Sequence, residues 1–321
     1  MVVRVVVIGA GPIGVRVAQE IRTRTALELV AIVDIDANKR GTVVESIAIT
    51  DALPDRATLP AGSVAVLTTT SSLEKLEPQA LPLLARGLHV VSTCEELAWP
   101  WSRAERAASL DKAARAAGVC VLGTGVNPGF VMDALPLFLT ATSARVDSVA
   151  IERVQDSSTR RRPFQDKTGV GKDPDVVRAA VDAEASGHVG LKESAAMLAV
   201  RLGFAIDHTE LTNDVVIAST EVALAGRTVR AGECLGVVQR LRASAKGTVL
   251  IDLHFRAVFG EPRSFDRVVV EGAPRVDATL EGGLPGDLAT AAIVANAIAS
   301  VLSAKPGLRT MADVPLVSFA R

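Results

Sequence analysis

The sequence is poor in the residues that form disulfides and bind metal ions. It has three cysteines in 321 residues, an odd number with no C-x-x-C pair. A disulfide framework is therefore not expected. We expect the protein in a reducing compartment such as the cytoplasm. The four histidines are scattered and show no ligand spacing such as H-E-x-x-H, so we expect no structural or catalytic metal.

The sequence also lacks an excess of charge of either sign and lacks long hydrophobic runs. Its 35 basic and 36 acidic residues give a formal net charge of −1, which indicates neither a nucleic-acid-binding surface nor a polybasic membrane patch. No apolar run reaches the roughly 20 residues of a transmembrane helix without a charge or a turn residue. Because a strand begins at Val2, no signal or transit peptide is expected before it.

What the chain does have is a glycine-rich turn near its start. VVRVVVIGAGPIG reads as a buried strand, a turn with Gly9, Gly11 and Gly14 in the pattern G-x-G-x-x-G, and a helix beginning near Pro12. In such a turn the first glycine permits the tight bend, the second lets the backbone approach a pyrophosphate, and the third lets the helix pack on the strand. The amides at the helix N-terminus then face the phosphates. The pattern predicts a dinucleotide site.

A second strand, Leu27–Val33, ends in Asp34, which lies where a ribose 2′-hydroxyl would require an acceptor. The alternative is a strand-ending aspartate that caps a turn. Asp34 favours NAD, whereas Lys39 and Arg40 would suit the 2′-phosphate of NADP, so both cofactors remain open. The predicted cofactor-binding residues are Gly9, Gly11, Pro12, Ile13, Gly14, Asp34, Thr69, Thr70 and Asn127.

Strands and helices alternate over the first 130 or so residues, which is typical of a doubly wound parallel sheet. The hydroxyl run Thr69–Ser72 follows the strand Ser63–Thr68, where it either meets the cofactor or caps the next helix. The other strands and helices predicted in this part are Leu76–Arg86, Leu88–Val91, Ser102–Ala117 and Val119–Leu122.

The pattern changes in the second half, where alternating segments such as Thr248–Phe259 suit a sheet with one wet face. The predicted fold is α/β, a doubly wound parallel Rossmann sheet with a second α+β domain built on a largely antiparallel sheet. We assign residues 1–133, together with a C-terminal segment 286–321 that packs back, to the dinucleotide-binding domain, and 134–285 to a substrate and dimerisation domain. The remaining predicted strands are Ser148–Val154, Val215–Leu224, Val229–Ala231, Gly236–Ala243 and Asp266–Glu271, and the helices are Pro174–Ala185, Leu191–Leu202 and Leu288–Leu302.

Two segments follow strands at the edge where ligands bind in open α/β sheets, Ser92–Pro100 and Gly123–Asp133. In the first, Glu95 and Glu96 are flanked by Cys94 and Trp99. A carboxylate in such a partly apolar crevice is a candidate for acid–base catalysis, but adjacent residues do not both point into one pocket, so we expect at most one to act. Trp99 is predicted to form either a pocket wall or a domain-interface anchor.

The second of these segments, GTGVNPGFVMD, is built of small, turn-forming residues. Its Asn127 offers an amide near the nicotinamide carboxamide or the substrate, although the N-P-G sequence alone also explains a simple turn. Asp133 is expected to cap the helix that follows. The basic segment Ser157–Asp173 is predicted to be a long mobile loop, either solvated or closing over a substrate carboxylate or the cofactor phosphates.

These segments resemble one family over nearly the whole chain. STCEEL, GTGVNPGFVMD, GHVGLKES, GGLPGDLATAA and PGLRTMADVP are similar to 2,4-diaminopentanoate dehydrogenase and the related NAD(P)-dependent amine dehydrogenases, within the dihydrodipicolinate-reductase-like superfamily. The resemblance implies a homodimer that reversibly deaminates an amine to a ketone and ammonia with hydride transfer to nicotinamide. It places the catalytic glutamate on Glu95 or Glu96. We prefer Glu96, because it occupies the position of the lysine in the E-K-P turn of related sugar oxidoreductases.

The middle segment, SSTRRRPFQDKTGVGKD, departs from the family pattern, so the substrate stays open. An amine bearing a carboxylate would require a cation such as Arg161, whereas a simple alkyl amine would require only an apolar pocket; Trp99 and Asn127 are the other candidate substrate contacts. A dihydrodipicolinate reductase is disfavoured because no two histidines are adjacent. The remaining alternatives are an imine or carbonyl reductase and a non-catalytic NAD(P)-binding sensor.

Overall fold

A computed structural model describes residues 2–183 and 186–320. The chain forms two compact units: unit 1 is Met1–Phe130 with Pro285–Arg321, and unit 2 is Val131–Leu284. Strands and helices are numbered along the chain.

Unit 1 is built on an eight-stranded sheet. Its strands are β1 (Val3–Ile8), β2 (Leu27–Val33), β3 (Val43–Val44), β4 (Ile47–Thr50), β5 (Val64–Leu67), β6 (His89–Ser92), β7 (Cys120–Gly123) and β16 (Gly307–Arg309). Their order in the sheet is β16-β7-β6-β5-β1-β2-β4-β3. All neighbours are parallel except the short pair β3 and β4. This confirms the doubly wound parallel sheet.

The described residues of unit 1 also form four α-helices. They are α1 (Pro12–Arg22), α2 (Leu73–Ala85), α3 (Ala104–Ala117) and α8 (Gly286–Ser303). Helix α3 ends at Gly118, whose φ of 69° is the left-handed conformation that glycine adopts at little cost. Helix α8 is, among the described residues, long and apolar enough by length and composition to cross a membrane. It packs against α1, and half of it is buried, as expected of a core helix.

Unit 2 is built on a six-stranded sheet of order β15-β14-β8-β13-β12-β9. Its strands are β8 (Arg145–Asp156), β9 (His208–Ile217), β12 (Cys234–Ala245), β13 (Thr248–Val258), β14 (Phe265–Ala273) and β15 (Val276–Glu281), and a separate hairpin pairs β10 (Val222–Leu224) with β11 (Arg227–Val229). Only β8 and β13 are parallel neighbours, so the predicted, largely antiparallel α+β unit is confirmed. The helices of unit 2 are α4 (Ala134–Leu139), α5 (Arg162–Lys167), α6 (Pro174–Asp182) and α7 (Leu191–Leu202).

The alternation in β13 explains which face of this sheet is covered. Ile251, Leu253 and Phe255 are buried, whereas Asp252 and His254 between them are only partly buried. Helix α7 packs against β12 and β13. The sheet therefore has one apolar face and one charged face.

A buried ion pair ties β8 to β14 inside unit 2. Arg153 Nη1 lies 2.7 Å from both carboxylate oxygens of Asp266, and the two side chains are only 2% and 1% exposed. Both residues also hold Leu284, because its N–H donates to Asp266 Oδ2 at 2.8 Å and its carbonyl accepts from Arg153 Nη2 at 3.0 Å. The pair therefore fixes the last residue of unit 2.

The segment Ser157–Asp173 is not the long loop predicted from its charge. It contains a 3-10 turn at Ser157–Thr159 and helix α5. Gln165 is buried and donates to the carbonyl of Arg160 at 2.8 Å, while Arg227 donates to its Oε1 at 2.9 Å. The segment is thus held by hydrogen bonds of a buried glutamine, and it lacks the apolar periodicity from which a helix is predicted.

Other predicted boundaries also changed. The predicted strand Val215–Leu224 is wrong as one element, because β9 ends at Ile217 and β10 starts at Val222. Strands β3, β4, β15 and β16 were not predicted, and α4 is the helix expected after Asp133. Helix α6 ends at Asp182, and residues 184 and 185 of the predicted helix lie outside the described residues.

Candidate functional site

The glycine turn after β1 has the geometry that its sequence predicts. Gly9 has a φ of 99°, and a Cβ on Gly14 would collide with the carbonyl oxygen of Gly9. Gly11 is the N-cap of α1 and makes no side-chain capping hydrogen bond. A Cβ on Gly11 would meet nothing within 4 Å. Two glycines thus build the turn, while the third keeps open a space directly before the helix amides, which fits a bound pyrophosphate.

Asp34 stands at the end of β2 and is held by this turn. The N–H of Ala10 donates to its Oδ2 at 2.7 Å, and the N–H of Asp36 donates to its Oδ1 at 2.9 Å. Lys39 Nζ also lies 2.9 Å from Oδ2. Burial alone would raise the pKa of Asp34, but the hydrogen bonds from Lys39 and the two amides together lower it below its ordinary value. The carboxylate is therefore ionised and fixed at the carboxyl edge of the sheet.

The hydroxyl run after β5 divides its roles differently from the prediction. Thr68, which was not singled out from the sequence, donates to the carbonyl of Gly9 at 2.8 Å and so supports the glycine turn. Thr69 donates to Gln79 at 2.8 Å, and Thr70 accepts from the N–H of Ser72 at 3.1 Å. Ser72, the N-cap of α2, makes no side-chain capping hydrogen bond. The capping role proposed for this run belongs instead to a carboxylate elsewhere.

That carboxylate is Glu96. The N–H of Leu73, the first residue of α2, donates to Glu96 Oε2 at 2.6 Å, and Arg103 Nη2 lies 3.2 Å from Oε1. The side chain of Glu96 is 19% exposed, whereas that of Arg103 is 60% exposed. One oxygen of Glu96 is thus fixed at a helix N-terminus, and among the described residues the other is paired only with a solvent-exposed arginine.

Glu95 and Glu96 lie in one 3-10 turn, Glu95–Ala98, between β6 and α3. A Cβ on Gly123 would collide with the backbone of Leu97, so this turn packs directly on the end of β7. Glu95 is partly buried. The segments Ser92–Pro100 and Gly123–Asp133, both predicted to lie at this edge of the sheet, are therefore in contact at Leu97 and Gly123.

Short polar contacts join the carboxyl ends of the central strands. Ser92 Oγ donates to the carbonyl of Leu67 at 2.9 Å and accepts from the N–H of Cys94 at 3.1 Å. The N–H of Thr124 donates to the carbonyl of Ser92 at 2.9 Å. The hydroxyl of Thr124 is buried and has no hydrogen-bond partner among the described residues. It is a polar group at this edge that the sequence analysis missed, since a single threonine after a strand carries no motif.

Two tryptophans follow the turn that holds Glu95 and Glu96. Trp99 is buried, with 8% exposure, between two 3-10 turns, while Trp101 is 41% exposed. Burial, with added repulsion from Glu95 and Glu96, raises the pKa of Cys94 to about 12. That thiol is therefore protonated at neutral pH and is no candidate nucleophile.

The loop that carries Asn127 is fixed by α8. The N–H of Val126 donates to Thr290 Oγ1 at 3.3 Å, and Gly129 has a φ of 117°. Asn127 is partly buried within this loop. Asp133, as predicted, is the N-cap of α4 and accepts from the N–H of Ala134 at 2.6 Å.

Unit 2 contains Arg161, the remaining predicted substrate contact, and a stacked histidine, His188. Arg161 is the N-cap residue of α5. His188 stacks on Phe255 with ring centroids 4.6 Å apart, and its Nε2 is buried without a hydrogen-bond partner among the described residues. Burial, followed by the charges of Lys167 and Arg153, lowers the pKa of His188 to about 3. The imidazole is therefore neutral at physiological pH.

No group of three or more histidine, cysteine, aspartate or glutamate side chains within residues 2–183 and 186–320 is arranged to hold a metal ion. The three cysteines are free and buried.

Comparison with known proteins shows the family of this chain. The family model described as "2,4-diaminopentanoate dehydrogenase C-terminal domain" matches residues 130–320. The chain is 27% identical to 2,4-diaminopentanoate dehydrogenase of Acetoanaerobium sticklandii, over 98% of this chain and 94% of that protein.

Solved structures show the same fold. Amine dehydrogenase from Mycobacterium smegmatis superposes with a TM-score of 0.82 at 21% identity, covering 99% of this chain and 97% of that one. Dihydrodipicolinate reductase from Paenisporosarcina sp. TG-14 superposes with a TM-score of 0.54 at 12% identity, covering 95% and 97%. Since the family model covers more than half of the chain, this protein belongs to the 2,4-diaminopentanoate dehydrogenase family.

Proposed function

We propose that the protein is an NAD(P)-dependent amine dehydrogenase that reversibly converts an amine and water to a ketone and ammonia. The observation that carries the proposal is Glu96, a carboxylate fixed at the carboxyl edge of a dinucleotide-type sheet. The relatives named as amine and diaminopentanoate dehydrogenases support the same reaction class.

The residues of unit 1 suit a nicotinamide dinucleotide. Gly11 leaves space before the uncapped amides of α1 for the pyrophosphate, and Asp34 presents a fixed carboxylate to the adenosine ribose. Thr69, Thr70 and Asn127 remain proposed contacts, together with Pro12 and Ile13 in the first turn of the helix. When bound, the nicotinamide takes the hydride from the amine carbon or returns it to the imine carbon.

Glu96 is the proposed acid–base group. In the oxidative direction its carboxylate takes a proton from the substrate ammonium, which frees the nitrogen lone pair to assist hydride loss. It releases that proton to solvent, takes a proton from the water that adds to the iminium, and returns this proton to the nitrogen as the carbinolamine collapses to the ketone and ammonium. The balance is substrate ammonium, water and oxidised cofactor in, and ketone, ammonium, reduced cofactor and one proton out. The N–H of Leu73 orients the carboxylate for these transfers.

Glu95 is the alternative acid–base group, and adjacent variants separate the two. Glu96→Gln keeps an oxygen that accepts from Leu73, so helix α2 retains its cap while the base is lost. We expect Glu96→Gln to lower kcat/KM by at least ~100-fold and Glu95→Gln to lower it far less. The reverse order would contradict the assignment. Glu74→Gln, on the exposed side of α2, is the matched control.

The activity itself is tested by following NADH and NADPH oxidation with a panel of ketones, with and without ammonium. Oxidation that requires ammonium supports the proposal. Oxidation without ammonium would indicate a carbonyl reductase, and cofactor binding without turnover on any ketone would favour a sensor. A preference for ketones bearing a carboxylate would support the proposed contact with Arg161. A panel of ketones with different side chains would test the proposed contact with Trp99.

We further propose that the protein is a cytoplasmic homodimer. The free, buried thiols are those of a protein from a reducing compartment. The dimer rests on the family alone, and light scattering after size-exclusion chromatography tests it.

A further inference from the structure

The adenosine end of the proposed cofactor site contains a charge pair rather than a lone carboxylate. Asp34 Oδ2 accepts from Ala10 and from Lys39 Nζ, while Oδ1 accepts from Asp36. Two carboxylate oxygens offer about four acceptor positions, so one remains for a ribose hydroxyl. The carboxylate is thus able to bind a 2′-hydroxyl without releasing the lysine.

Lys39 is placed by local structure and not by chance contact. It ends the 3-10 turn Ala37–Lys39, whose N-cap Asp36 accepts from the N–H of Asn38 at 3.0 Å. Its ammonium lies 2.9 Å from Asp34 and 3.9 Å from Asp36, and its side chain is 36% exposed. An ammonium has three N–H donors, and the hydrogen bond to Asp34 uses one. The other donors are available to a ligand at the surface.

The charge of Lys39 affects which group can bind at the 2′-position of the adenosine ribose. A lone carboxylate beside the ribose repels a 2′-phosphate, which is how an acidic residue after β2 ordinarily selects NAD. Here Lys39 offsets the charge of Asp34 and adds a donor for phosphate oxygens. Arg40, the neighbouring cation, instead pairs with Asp51 at 2.6 Å.

An apolar side chain stands beside the pair. Ile35 follows Asp34 directly and is 94% exposed, whereas Val33 before it is buried. An isoleucine displayed next to a buried strand end and a fixed carboxylate suits the flat face of an adenine ring.

We propose that Lys39 is the specificity-determining residue for the adenosine 2′-position. It binds the 2′-phosphate of NADPH, while Asp34 binds the 2′-hydroxyl of NADH, so that the enzyme takes both cofactors. This inference rests on the proposed use of a nicotinamide dinucleotide, and it is independent of the amine chemistry.

The test is direct binding of NADPH and NADH to the full-length protein, followed by nucleotide fluorescence, for the wild type, Lys39→Met and the control Arg40→Met. Loss of a charge-assisted hydrogen bond weakens binding by about tenfold or more. We therefore expect Lys39→Met to raise the Kd for NADPH by at least about tenfold, to change that for NADH by less than about threefold, and Arg40→Met to leave both nearly unchanged. Competition by adenosine 2′,5′-bisphosphate and by AMP tests the adenosine end of the site alone. Lys39→Met should weaken binding of the bisphosphate and leave binding of AMP nearly unchanged.

Two results would overturn the inference. Equal weakening of both cofactors by Lys39→Met would mean that the lysine only positions Asp34. Binding of NADH but not NADPH by the wild type would mean that the carboxylate still excludes the phosphate. Failure to bind either dinucleotide would instead contradict the proposed function, whereas intact binding without amine turnover would leave the role of Lys39 standing.

Discussion

The buried pair between Arg153 and Asp266 gives the sharpest prediction about stability. Replacing Asp266 with asparagine keeps the shape and an oxygen for the N–H of Leu284, but it leaves the guanidinium of Arg153 buried without a counter-charge. The arginine is 2% exposed, so water cannot take over the lost contacts without opening the sheet.

The expected loss follows from that burial. Breaking a buried ion pair by removing one partner costs about 3–5 kcal/mol in free energy of unfolding, and we expect Asp266→Asn to fall in this range. For a unit of this size the cost corresponds to a fall in Tm of roughly 6–20 °C. The matched control is Glu281→Gln, which removes an exposed partner of Arg263 in the same sheet and should cost less than about 1 kcal/mol.

Urea unfolding of the full chain measures both variants. The two tryptophans, Trp99 and Trp101, lie in unit 1, so their fluorescence follows that unit while far-UV circular dichroism follows both. We expect the circular dichroism transition of Asp266→Asn to move to lower urea. Arg153→Met breaks the same pair. The double variant should therefore lose less unfolding free energy than the sum of the two single-variant losses. A loss below about 1 kcal/mol, or full additivity, would refute the reasoning.

Two further predictions concern the glycine turn and His188. Gly11→Ala should leave the Tm nearly unchanged, because its Cβ meets no atom, but it should abolish dinucleotide binding. Gly14→Ala should instead lower the Tm, because its Cβ would collide with the Gly9 carbonyl. Equal Tm losses for the two variants in a thermal scan would contradict this difference. His188 has a pKa lowered to about 3, so the unfolded chain binds a proton below about pH 6.5 that the native protein refuses, and stability falls as the pH falls. The wild type should therefore lose more unfolding free energy between pH 7 and pH 5 than His188→Asn does, and the difference should be about 2 kcal/mol. Urea unfolding at both pH values measures it. An equal loss in the two proteins would show that the imidazole titrates normally.

The sequence predicted well those elements that local pattern determines. Strand β2 and helix α7 have the predicted limits, because each is bounded by turn residues and has a clear period. The glycine turn and the carboxylate at Asp34 could be predicted because their spacing follows from the geometry of one strand, one turn and one helix.

The rest depends on contacts between residues distant in sequence. The first seven residues of β9, HTELTND, are largely polar and lie at the sheet edge, and only pairing with β12 makes them a strand. Gln165 organises a segment whose charge indicates a loop. Likewise, no local pattern links Glu96 to the N–H of Leu73, although that hydrogen bond fixes the proposed acid–base group.

The proposed amine dehydrogenase reaction is tested by identifying the product formed from a ketone, reduced cofactor and isotopically labelled ammonium. We expect an amine that carries the labelled nitrogen, formed in proportion to the cofactor oxidised and lost in Glu96→Gln. Cofactor oxidation that yields the alcohol, or an amine formed equally well by Glu96→Gln, would contradict it.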